Sequence, residues 1–181
     1  QAAILVRARA RAALAAMGGR RAFWHDLYDS QALRSPDAPA VVCWGPGLPR
    51  AELSYKDLAS RSRALGERLR ALLDGLGGTA PAGAGDTSSA VALQLPRTHA
   101  DFLPALLAIG RCGAPFALLS TDLQERELQD ARNAQILAEL RPRLLLVAAH
   151  PTSVEVTAPE RVRTVSIDEL VGEPPSAGAR G

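Results

Sequence analysis

Three short, nearly unbroken apolar runs, at residues 91–95, 114–119 and 144–149, are separated by two helix-length segments. This alternation leaves few architectures open, because a strand that is apolar at nearly every position needs cover on both faces. A parallel sheet flanked by helices provides that cover. The first spacer carries Phe102, Leu103, Leu106, Leu107 and Ile109 at helical spacing and stops at Gly113, with Thr98 expected as its cap and Asp101 in its first turn. The second, over 122–140, would turn Leu128, Ala131, Ile136, Leu137 and Leu140 inward, and Pro142 ends it. Strand, helix, strand, helix, strand predicts right-handed βαβ units, so the fold class is α/β with a parallel sheet. One more strand is expected at 162–167. Right-handed crossovers that keep moving in one direction place their helices on one face, so the other face of this sheet is expected to lack cover.

The N-terminal half supplies different elements. Residues 23–33 have helical spacing through Trp24, Leu27, Tyr28 and Ala32 and must stop near Pro36. Residues 38–44 and 51–53, joined through Gly45-Pro46-Gly47, predict a β-hairpin. Ser54 and Asp57 have capping-box spacing before a helix whose Leu58, Leu65, Leu69, Leu72 and Leu73 share a face, and Gly75 ends it. Tyr55, at the head of that helix, is expected to face inward in a structural role. Residues 75–89 are a Gly/Ala/Ser-rich loop.

Charge and composition exclude several functions. The 21 basic residues are 20 arginines and Lys56; five of the arginines lie in residues 1–25, which hold no acid. The remaining 16 basic and 19 acidic groups give the body a net −3, and only seven aromatics are scattered along the chain. A nucleic-acid footprint needs cations clustered on the folded part, so no nucleic-acid partner is expected. No apolar run approaches the roughly 20 residues of a membrane span. Cys43 and Cys112 are too few and too far apart for a disulfide framework and are expected to be buried, reduced thiols in a cytoplasmic setting. The Arg/Ala-rich residues 1–21 are expected to be a leader or upstream segment, with organellar targeting as the alternative for such a composition. Residues 172–181 are expected to be a tail without packing.

Chemistry is sparse. No GxGxxG or GxxxxGK[ST] pattern occurs among the glycines of 75–85, so no phosphate cradle is encoded there. His25, His99 and His150 lack the spaced partners of a metal site. His99 follows a strand end, where α/β proteins often hold ligands. Ser88-Ser89 and Ser120-Thr121 lack the Gly-x-Ser-x-Gly elbow of a hydrolase. Glu125, Arg126, Glu127 and Arg132 have the spacing of a solvated helix face. No catalytic, cofactor-binding or metal-binding residue is therefore assigned.

Four segments nonetheless resemble one superfamily in order. Leu53-Ser54-Tyr55-Lys56-Asp57-Leu58 resembles the first core motif of adenylate-forming enzymes, and residues 35–42 (SPDAPAVV) resemble their entry segment. Residues 91–98 (VALQLPRT) are similar to the strand and turn that follow, and residues 106–116 (LLAIGRCGAPF) to the second core motif. The match runs over about 22–170. Two departures stand out: residues 117–120 (ALLS) lack the usual proline and acid, and Gly110 replaces a large apolar residue at a cost of roughly 1 kcal/mol in helix propensity.

The resemblance implies that residues 22–171 are the N-terminal part of the large domain of an acyl-CoA synthetase or amino-acid adenylation enzyme. Such enzymes use ATP and Mg²⁺ to convert a carboxylic acid (fatty, aryl or amino) into an acyl-AMP and pass it to the thiol of CoA or phosphopantetheine. The implied partners are the rest of that domain, its C-terminal lid domain and a small carboxylic acid. The family's phosphate loop, ribose-holding acid and catalytic lysine match nothing in this sequence, and Lys56 in the first motif corresponds to neither family lysine. The chain alone is therefore expected to be inactive. Two alternatives are a non-catalytic Rossmann-like α/β binding module and an inactive gene remnant.

Overall fold

The structure, a computed structural model, describes residues 23–45, 48–76, 90–121, 125–148 and 162–172, with backbone only at 43–45 and 48–51. The expected leader, glycine loop and tail, together with His150, Ser88-Ser89 and the Cys43 side chain, lie outside what is described. The elements in chain order are α1 (Trp24–Arg34), β1 (Pro39–Gly45), β2 (Leu48–Ser54), α2 (Tyr55–Gly75), β3 (Val91–Gln94), α3 (Phe102–Cys112), β4 (Phe116–Leu118), α4 (Arg126–Leu140), β5 (Leu144–Val147), β6 (Arg163–Ser166) and the short α5 (Ile167–Val171).

β1 and β2 form the expected antiparallel hairpin. The capping box at α2 is present: the Ser54 Oγ accepts from the Asp57 N–H at 3.1 Å, and the Asp57 carboxylate accepts from the Ser54 N–H at 3.3 Å. The other strands form one parallel sheet in the order β4-β3-β5-β6, with Val91 opposite both Phe116 and Leu144.

That order corrects the expectation of an uncovered face. β3 to β4 moves one way across the sheet, and β4 to β5 moves back past β3, so the two crossover helices take opposite faces. On one side Leu65, Leu69 and Leu73 of α2 and Ala105, Ala108 and Ile109 of α3 bury Val91, Leu93, Leu144 and Leu146. On the other, Leu137 of α4 packs with Ala92, Leu119 and Leu145. Within the parallel sheet, the exposed large apolar residues are those of the edge strand β4, Phe116 at 40% and Leu118 at 44%.

The expected face of one helix and the expected cap of another also need correction. Leu137 is buried and Ile136 packs against its cluster as expected, but Leu128 is 57% exposed and Ala131 exposed, and the buried positions of α4 are Gln129, Asn133 and Leu137, an i, i+4, i+8 row. The cause is polar. Asn133 accepts from the Ser120 N–H at 2.8 Å and donates to the Ser120 carbonyl at 2.9 Å, which fixes the helix against the exit of β4. α3 begins at Phe102 with Asp101, not Thr98, at its N-cap, because a tight turn holds 96–102 through the His99 N–H to the Pro96 carbonyl and the Phe102 N–H to the His99 carbonyl.

Three arginines satisfy helix C-termini, where carbonyls have no intrahelical partner. Arg143 donates to the Leu76 carbonyl at the end of α2, and Arg70 to the Arg111 carbonyl at the end of α3. Arg68 donates to the Leu170 and Gly172 carbonyls at the end of α5. The many arginines of this chain thus serve partly as caps.

Candidate functional site

At the carboxyl ends of β3 and β4 the chain leaves toward α3 on one face and α4 on the other. In open α/β sheets such a reversal leaves a crevice where ligands bind. The residues there are Gln94, the 96–101 turn, Ser120 and Thr121. Gln94 ends β3, is 2% exposed, and its Oε1 has no hydrogen-bond partner. Its side chain shares the α4 face of the sheet with Ala92, the level at which Asn133 grips Ser120. The His99 Nδ1 accepts from the Asp101 N–H at 3.1 Å, so the neutral ring carries its proton on Nε2. Asp101 is buried, and its carboxylate accepts from Arg61 of α2 at 3.3 Å. Neither His99 nor Ser120 is paired with the other as nucleophile and base.

A second polar cluster joins α1 to α2 and α3. Asp29 receives a bidentate grip from Arg111 at 2.6 and 2.8 Å, and Arg63 lies 3.1 Å away. The Arg111 Nε donates to the Ser62 hydroxyl at 3.2 Å. Burial alone would raise the Asp29 pKa, but the hydrogen bonds and charge of Arg111, with Arg63 and His25 adding to them, hold its carboxyl below the usual carboxylate range. Gly110 becomes intelligible here: a Cβ at this position would lie 2.8 Å from the Trp24 Nε1, so glycine lets the indole of α1 lie on α3. Neither Asp29 nor Arg111 gives any local signal of a partnership across 82 residues of sequence separation.

A carboxyl whose folded pKa is depressed contributes stability in full above its unfolded value, near pH 4, and loses it as pH falls through the folded value. Asp57, lowered by its hydrogen bonds from Ser54, acts in the same direction. Urea unfolding between pH 5 and 2 is expected to show stability falling with pH, with a shallower fall in Asp29→Asn.

Tyr55 is half-buried, and its ring lies 6.4 Å from that of Tyr28. Burial, and next to it Tyr55, push the Tyr28 hydroxyl above its usual pKa. Cys112 is half-buried as a free thiol; its Sγ donates to the Gly66 carbonyl at 3.3 Å, and burial pushes its pKa up. Lys56 is exposed in the first turn of α2. Among the described residues no group of three or more His, Cys, Asp or Glu could hold a metal ion. No described helix is long and apolar enough to cross a membrane.

The model of the AMP-binding enzyme family matches residues 28–178. This chain belongs to the AMP-binding enzyme family. It is 40% identical over 123 residues to the phenyloxazoline synthase MbtB of Mycolicibacterium paratuberculosis, a match covering 68% of this chain and 9% of that protein. Among solved structures it is similar to the Klebsiella oxytoca NpsA N-terminal subdomain in complex with 3-hydroxyanthranilyl-AMSN, with a TM-score of 0.59, 19% identity, and 82% of this chain against 31% of that one. The fatty acid AMP ligase from Legionella pneumophila gives a TM-score of 0.58 at 16% identity, covering 80% of this chain and 23% of that one. At these identities the structures establish the fold, and family membership rests on the sequence match. The chain spans about a tenth of the curated relative and under a third of those solved chains.

Proposed function

We propose that this chain is the N-terminal part of an adenylation domain that activates a small carboxylic acid with ATP to an acyl-AMP and hands it to a thiol. The observation that carries this reading is the family match over 28–178. A phosphopantetheine thiol on a carrier protein is favoured over CoA, because the phenyloxazoline synthase is a relative at 40% identity and a similar structure is an artificially fused adenylation–PCP di-domain from Klebsiella oxytoca. Activation is needed because a free carboxylate is a poor electrophile, and AMP supplies the leaving group. Electrostatic stabilisation at phosphorus would come from groups this chain lacks, so the chain alone is inactive. The remaining domain meets it along β4, where Phe116 and Leu118 are exposed and, among the described residues, pairing is on one side only.

The closed sheet faces favour a second reading, a self-sufficient α/β binding module without chemistry, since Leu93, Leu144 and Leu146 are all buried by the chain's own helices. Two measurements separate the two. ATP–pyrophosphate exchange by the 181-residue chain with aryl, fatty and amino acids is expected to stay at background; exchange abolished by boiling would overturn the claim of inactivity. The coding sequence after codon 181 is expected to encode a Ser/Thr/Gly-rich loop followed by Lys-Gly, and a stop codon there would favour the binding module.

A further inference from the structure

α1 is tied to the body differently from the other long helices. None of its residues is buried, whereas α2 buries seven residues and α3 five. Its attachments are the Trp24 indole over Gly110, the Tyr28–Tyr55 ring pair, and Asp29 held by Arg111 and Arg63. An open surface groove of about 440 Å³ runs between α1 and α2, lined among others by Ala32, Leu33, Ala59 and Ala64, and the His25 Nδ1 is buried without a hydrogen-bond partner. The C-terminal end is firmly anchored. Just after it, the Pro36 and Ala38 carbonyls accept from the Lys56 and Tyr55 N–H groups at 3.0 Å each.

A helix with no fully buried residue, flanked by an open groove and anchored just after its C-terminal end, belongs to the low-stability end of a structure, where segments open without global unfolding. Trp24 lies at the end away from the anchor and Asp29 at the middle of the helix, and among the described residues of α1 only Asp29 makes charge-assisted bonds to both neighbouring helices. We propose that α1 is a strap that lifts from α2 and α3 as a unit about Ser35–Pro36, with Asp29 as its latch. Lifting bares the Arg111 guanidinium, Ser62 and the Gly110 surface of α3, so the strap governs access to that surface.

Amide hydrogen exchange on the 181-residue chain tests this. The hydrogen-bonded amides of α1 are expected to share one protection factor, at least about 10-fold below that of β5. Asp29→Asn should speed exchange throughout α1 by roughly 10- to 100-fold, the size expected for losing charge-assisted hydrogen bonds, and leave β5 unchanged. Leu145→Ala, on the opposite face of the sheet, should speed β5 and leave α1 unchanged, which keeps the test decisive even if Asp29→Asn fails to fold. Protection of α1 equal to that of β5 would overturn the strap. So would a gradient of protection fading from Trp24, which is fraying, or acceleration of α1 and β5 together in Leu145→Ala.

Discussion

Replacing Leu145 by alanine is expected to cost about 2–5 kcal/mol, and Leu146→Ala a similar amount, in the range of large-to-small changes at closed core sites. The pair is informative because the two side chains point to opposite faces of β5. Leu146 lies in the larger core formed with α2 and α3, and Leu145 packs with Leu137 of α4. Both are 1% exposed. A sheet covered on one face would lose most of this cost at one of the two positions, because a side chain already in water leaves no cavity when truncated. Urea midpoints compared at constant m-value provide the measurement. A cost below about 1 kcal/mol at Leu145 would mean that α4 does not close its face.

What the sequence disclosed and what it hid divide along one physical line. Period and punctuation are local, so the three apolar runs, the Ser54–Asp57 cap, the hairpin and the stop at Gly113 were all legible. Strand order is not local. Nothing within 102–140 announces that β5 returns to the far side of β3, and the expectation of an uncovered face failed on that point alone. The polar clusters were hidden for the same reason: Asp29 and Arg111, and Arg68 and Leu170, are each distant in sequence. The inward row of α4 did carry a faint signal, since Gln129, Asn133 and Leu137 sit at a spacing of four. Leu128 and Ala131 competed for the same inference and are more apolar, so ordinary amphipathicity pointed the wrong way. Gly110 was legible only as an oddity until the Trp24 ring gave it a cause.

Asn133→Ala is expected to destabilise the fold by about 2–4 kcal/mol, because it leaves both peptide groups of Ser120 without their side-chain partner. Asn133 itself is fully buried, so a cavity contributes as well, and Asn133→Leu separates the two effects. Leucine fills the volume and restores no hydrogen bond; a comparable loss in both variants assigns the cost to the unpaired Ser120 groups. Asn133→Asp sharpens the assignment. Its carboxylate still accepts from the Ser120 N–H but faces the Ser120 carbonyl with negative charge where the amide had donated. Desolvation and that carbonyl both raise the carboxyl pKa, so the variant should regain stability as pH falls, when the protonated acid donates to the carbonyl. This is the reverse of the acid response set by Asp29, so urea midpoints at pH 7 and pH 5 distinguish the two groups. If Asn133→Ala and Asn133→Leu both unfold at the wild-type midpoint, Asn133 does not fix α4, and the rotated face of that helix needs another cause.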